Sequence, residues 1–192
     1  MEVKPNFLTT LRIILTPFII VFLILGWKIP AFIIFAFIIF TCAVITDFLD
    51  GWFAKHFNRK TYLGVLLDPI ADKILTLGLL FTVFFLNFYS AALNLAGSLF
   101  FGLLVILTLR ESIITVYRIF DYCNYCDINK KLKFSLEPNW QGKVKTVFLI
   151  LTVACFILKI NSAGFFFFIT ATIMAYFSLV KHFLKDSFGL DK

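Results

Sequence analysis

ITDFLDGWFAKHFNRKTYLGVLLDPIADKILTLGLL, Ile45–Leu80, is the stretch on which the fold turns. It closes one long apolar run and opens the next, and a short polar, basic connection, KHFNRKTY (Lys55–Tyr62), lies between them. Asp47 and Asp50 stand before that connection, Asp68 and Asp72 after it. A charge in or beside a bilayer-spanning helix is costly, so it marks function and needs a compensating partner. So short a connection makes the two helices antiparallel neighbours. At ~100° per residue, Asp47, Asp50, Gly51 and Ala54 share one stripe of the first helix. Asp68 and Asp72, one helical turn apart, share a face of the second. All four carboxylates are therefore expected at one point just inside the membrane interface. They cannot all stay ionised there without cations, and a pair of divalent metal ions held by oxygen ligands, with substrate phosphates completing the shell, would supply them. Gly51 and Gly64 let a ligand or a neighbouring helix come close to the backbone.

The rest of the chain extends this pattern. Of its 192 residues 61% are hydrophobic and 27 are Phe, and the mean hydropathy is +0.96. No soluble domain of this length buries so much, which points to an all-α polytopic membrane protein made of one domain, residues 1–192. Six apolar runs reach the length needed to cross ~30 Å of hydrocarbon, near residues 8–26, 30–54, 64–88, 91–117, 143–161 and 163–183. The runs are continuously apolar without strict alternation, which argues against a barrel. The first is too long for a signal peptide, contains Arg12 and Pro17, and shows no small-residue cleavage site. Lysines and arginines crowd the connections on one side of these spans, and Lys28 and Lys159 alone lie on the other. That bias places both termini and the aspartate cluster, lining a polar cavity, on the cytoplasmic side of the inner membrane. Membrane topology and anionic substrates explain the net charge of +7 better than nucleic acid does. Cys123 and Cys126 form a CxxC in the connection from about Arg118 to Lys145, without a second ligand pair for zinc or a thioredoxin-like context.

From Asp47 the chain reads D-x-x-D-G-x-x-A-K, then eight residues, then G-x-x-x-D-x-x-x-D ending at Asp72. This resembles the signature of the CDP-alcohol phosphotransferases, with one departure: Lys55 stands where the family has Arg, keeping the charge but losing the planar fork. Shorter similarities extend over most of the chain: NFLTTLRIILTP at Asn6–Pro17, LDPIADK at Leu67–Lys73, the pair Arg110–Glu111 followed by Arg118, and GKVKT at Gly142–Thr146. These point to the bacterial phosphatidylglycerophosphate synthase branch, although relatives that make cardiolipin share several of them.

The resemblance implies transfer of a phosphatidyl group. The 1-hydroxyl of sn-glycerol 3-phosphate attacks the β-phosphorus of CDP-diacylglycerol, and CMP leaves. Two Mg²⁺ or Mn²⁺ ions are implied, one on Asp47, Asp50 and Asp68, the other on Asp47, Asp68 and Asp72. Asp72 is also the implied general base. Gly51, Ala54 and Gly64 would leave room for the cytidine, with Asp50, Lys55, Asn6, Thr9, Asn58 and Thr61 as further contacts of the CDP group. The acceptor's phosphate needs cations, for which Arg110, Arg118, Lys143 and Lys145 are the candidates. Arg110 lies inside a span, so it pairs with Glu111 or another carboxylate, or faces the substrate cavity. No activated Ser, Cys or His accompanies the carboxylates, which favours a single displacement over a covalent intermediate. A homodimer among membrane lipids is the family expectation.

Two other readings stand beside this one. Within the same chemistry, phosphatidylglycerol as acceptor would make the chain a cardiolipin synthase. From another class, intramembrane carboxylates also mark divalent-cation transporters. Transport calls for carboxylates reachable from both faces, often on broken helices. Here the ionisable residues gather on one side.

Overall fold

The computed structural model describes the backbone of residues 6–56, 62–88, 95–128 and 140–188, with the turns between α1 and α2 and between α5 and α6 included, and the side chains of residues 10–48, 70–87, 95–117, 119 and 142–180. Six helices follow in order: α1 (Asn6–Lys28), α2 (Ala31–His56), α3 (Tyr62–Val83), α4 (Leu95–Ile128), α5 (Trp140–Ile157) and α6 (Asn161–Phe188). A π-helical turn, Phe84–Phe88, extends α3. Among the described residues there is no strand. This is the expected all-α polytopic membrane protein.

Five helices hold a stretch long and apolar enough to cross a bilayer: Thr10–Lys28, Ala31–Phe48, Ile70–Asn87, Leu95–Tyr117 and Asn161–Val180. The sixth expected span falls on α5, whose described residues contain no such stretch. It has 18 residues and spends its first turns on Lys143 and Lys145. The larger departure from the expected boundaries is α4. Its 34 residues run to Ile128, so Arg118, Cys123 and Cys126 belong to a helix and not to a connection. Nothing between Tyr117 and Ile128 is Pro or Gly, and a helix that meets neither has no local reason to stop. At ~1.5 Å per residue α4 is roughly 50 Å long, so it projects well beyond the ~30 Å apolar layer.

The helices alternate in direction. The starts of α1, α3 and α5 therefore share one end of the bundle with the ends of α2, α4 and α6. α1 packs on α2 and α3, α5 packs on α6, and α3 is central, touching α1, α4 and α5. The hydrophobic core includes Ile19, Phe40, Leu79, Leu80, Leu104, Leu107 and Phe168, all buried. Phe100 of α4 is its aromatic centre. It stacks on Phe84 at 6.0 Å, meets Phe156 edge-on at 5.2 Å, and lies 4.9 Å from Phe168 and 5.6 Å from Phe165. The Phe165–Phe168 tract is divided between core and surface: Phe168 is buried and Phe166 exposed.

Close approach of α5 and α6 depends on Gly164, where a Cβ would come within 2.9 Å of the Phe156 ring. α5 ends in a Schellman turn: the Ile160 N–H donates to the Cys155 carbonyl at 2.8 Å and the Lys159 N–H to that of Phe156 at 3.1 Å. Lys159 adopts the left-handed conformation, φ 59°, that this turn requires at its C′ position. Its ammonium lies 5.7 Å from the Trp27 ring. Threonines within the spans return their hydroxyls to their own helix, for example Thr16 to the Arg12 carbonyl, Thr152 to Phe148 and Thr172 to Phe168. The hydroxyl is satisfied locally, so these residues impose no polar path through the apolar layer.

Candidate active site

At the end of the bundle opposite Lys28 and Lys159, charged side chains from five helices come together. α1 contributes Arg12, which is 2% exposed and pairs through Nη2 with Asp47 Oδ1 near the end of α2. A guanidinium placed among apolar residues needs such a partner. Asp72, near the start of α3, is half-buried and lies within Coulomb range of Asp47, Arg12, Lys145 and Glu111. The two antiparallel helices thus bring Asp47 and Asp72 to one locality.

The second half of the cluster is organised around Glu111 of α4, which is buried. Its Oε1 accepts hydrogen bonds from Arg110 Nη1 at 2.5 Å and from Lys145 Nζ of α5 at 2.6 Å. Its Oε2 is 3.6 Å from Lys73 Nζ of α3. Lys73 also donates to the Glu111 carbonyl at 2.8 Å and to the Thr115 hydroxyl, and Thr115 donates in turn to that same carbonyl at 2.7 Å. Arg110 and Lys145 are themselves buried. The Nε atoms of Arg12 and Arg110 are buried and have no hydrogen-bond partner among the described residues.

Set against the residues expected from sequence, Asp47, Asp72, Arg110 and Lys145 meet in this cluster, whereas Lys143 is exposed and takes no part in it. On a helix, positions two apart point to different sides, so burial of Lys145 turns Lys143 outward. Arg118 lies on α4, and the side chains of Asn6, Thr9, Asp50, Gly51, Ala54, Lys55, Gly64 and Asp68 lie outside the described residues, as do Asn58 and Thr61 altogether. Among the described residues no three of His, Cys, Asp and Glu gather as a metal site would require.

The sequence reading passed over Arg12, Lys73 and Thr115 as site residues, and treated Glu111 only as a counter-ion for Arg110. A signal for Arg12 was present: it is a charge embedded in an apolar run, and the argument that singled out the aspartates applies to it equally. Glu111 stands inside the expected span 91–117 and carried the same signal, but its partners Lys73 and Lys145 come from two other helices and could not be read from its own run.

The arrangement has two chemically distinct parts. Carboxylates of α2 and α3 offer hard oxygen donors suited to Mg²⁺ or Mn²⁺, and cations of α3, α4 and α5 offer donors suited to a phosphate. The model of the CDP-alcohol phosphatidyltransferase family matches residues 2–181. The CDP-diacylglycerol–glycerol-3-phosphate 3-phosphatidyltransferase of Aquifex aeolicus is 32% identical over 149 residues, covering 78% of this chain and 72% of its own. The proteins of the same name from Salmonella choleraesuis and Escherichia coli K12 are each 28% identical, over 182 and 184 residues, covering 93% of this chain and 91% of theirs.

Proposed function

The chain belongs to the CDP-alcohol phosphatidyltransferase family, and from that premise we propose that it transfers the phosphatidyl group of CDP-diacylglycerol to sn-glycerol 3-phosphate, releasing CMP, as a phosphatidylglycerophosphate synthase of phospholipid biosynthesis. The observation that carries this reading is the juxtaposition of its two charged subsites. Asp72 lies within Coulomb range both of Asp47, across the helix pair, and of Lys145, beside the α4–α5 cation group. A reaction joining a metal-bound pyrophosphate to a phosphorylated alcohol needs such neighbours. Relatives bearing this activity's name support it.

Members of the family generally use divalent cations. Asp47 and Asp72 fit that requirement, because neighbouring carboxylates repel each other and offer the hard oxygen donors that a shared divalent cation takes. Asp47, Asp50, Asp68 and Asp72 would hold two ions, which when bound neutralise the pyrophosphate and the departing CMP. The chain's own residues do the rest. Asp72 accepts the proton of the acceptor's 1-hydroxyl as that oxygen forms its bond to the β-phosphorus, and the bond to the CMP oxygen breaks. Arg12 orients Asp47. Arg110 and Lys145, with Arg118, hold the acceptor's phosphate, while Asn6, Thr9, Gly51, Ala54, Lys55, Asn58, Thr61 and Gly64 accommodate the CDP group. The exposed Lys143 is assigned only to the basic side of the membrane. The lysine and arginine bias supports a cytoplasmic site and cytoplasmic termini in the inner membrane, and a homodimer is the expected assembly.

Purified protein, CDP-diacylglycerol and a panel of acceptors test this directly. Release of CMP should require sn-glycerol 3-phosphate and cease with EDTA. Turnover with phosphatidylglycerol in its place would make the chain a cardiolipin synthase, and no CMP release with any acceptor would end the enzyme reading.

A further inference from the structure

We infer that Glu111 is a positioning residue that assembles the cradle for the acceptor's phosphate. The inference rests on the function proposed above and adds to it a residue with no role there. A buried carboxylate is balanced by one counter-charge, yet Glu111 has three cations on it: Arg110 and Lys145 share its Oε1, at 2.5 and 2.6 Å, and Lys73 lies 3.6 Å from its Oε2. Each comes from a different helix, α3, α4 or α5. Without the shared oxygen these cations would repel one another apart; with it they are gathered.

An independent observation points to an anion. Arg110 is buried and its Nε has no hydrogen-bond partner among the described residues. An unpaired buried donor is costly, and a phosphate oxygen is the group that would satisfy a guanidinium in such a position.

The test is steady-state CMP release by the native chain and by Glu111→Gln and Glu111→Asp variants, in detergent with Mg²⁺, varying glycerol 3-phosphate and CDP-diacylglycerol separately. In Glu111→Gln the shared charge is lost, and the KM for glycerol 3-phosphate should rise about 10- to 100-fold, the worth of one charge-assisted hydrogen bond. The KM for CDP-diacylglycerol and kcat at saturating acceptor should stay within about threefold, because the carboxylate half is untouched. Glu111→Asp keeps the charge, and with it the fold, but withdraws the oxygens; its acceptor KM should lie between the two. Lowered thermal stability or kcat with an unmoved acceptor KM in both variants would reduce Glu111 to a structural counter-ion. If the native chain releases no CMP with glycerol 3-phosphate, the function itself is overturned and the Glu111 role goes with it. Native turnover with unchanged KM in the variants overturns the Glu111 role alone.

Discussion

On one stripe of α4, Glu111 gathers cations from α3, α4 and α5. Eleven residues earlier on the same helix, Phe100 gathers rings from the π-helical turn, α5 and α6. The two lie roughly 16 Å apart along the axis and within ~20° of each other around it. Each is a junction of three neighbouring elements, but they hold them differently. The aromatic junction is complete in itself: the rings fill the space between helices, Phe100 is fully buried, and no group is left unsatisfied. The ionic junction is not. Beside Glu111 the buried Arg110 Nε has no hydrogen-bond partner among the described residues. Lipid is as apolar as a side-chain core, so helix association in a bilayer rests on packing and on polar contacts, not on the hydrophobic effect. One end of this bundle is joined by packed rings, and the other by charged side chains.

That contrast can be broken at either end. The largest effect belongs to the carboxylates: Asp72→Asn should lower kcat by about 10²- to 10⁴-fold, the usual contribution of a general base, with an unchanged melting profile in detergent. A variant that still releases CMP at the native rate would remove Asp72 from the chemistry. At the other end, Phe100→Ala should leave a cavity among Phe84, Phe156 and Phe168 and lower Tm by roughly 5–10 °C, while KM values for both substrates hold steady. Should those KM values rise with the loss of stability, the two ends would be coupled and not separate. Lys145→Ala removes one of the two cations on Glu111 Oε1 and should raise the acceptor KM about tenfold or more. The smallest effect sharpens the comparison most. Lys143→Ala, two residues away and exposed, should change that KM by less than about twofold, since a solvated surface charge contributes little. Equal effects from the two lysines would mean that the basic character of the segment matters and its geometry does not.

Much of the fold was legible before any coordinates. Long apolar runs in a bilayer have only one means of satisfying their backbone, so helices at Thr10–Lys28 or Asn161–Val180 follow from composition alone. Boundaries were legible where a Pro or Gly punctuates the chain and misread where none does. α4 was expected to stop near residue 117 and continues to Ile128, because the sequence past the membrane edge turns polar without ceasing to be helical. Of the candidate site, Asp47 and Asp72 were legible because charge within an apolar run stands out. Lys143 and Lys145 were indistinguishable in sequence, both being basic residues at the start of a span. Only the rotation of α5 against α4 separates them.

The amino-acid order by itself determined that this chain crosses a membrane as helices, which end carries the charges, and that carboxylates flank the connection between α2 and α3. These are properties of local composition and periodicity. Pairings between distant residues were decided by the tertiary structure: Arg12 with Asp47, and Lys73, Arg110 and Lys145 on one buried glutamate. The reason is physical. A charge in an apolar run demands some partner, but which one it finds depends on how helices far apart in sequence are rotated and packed, and no stretch of sequence encodes that alone.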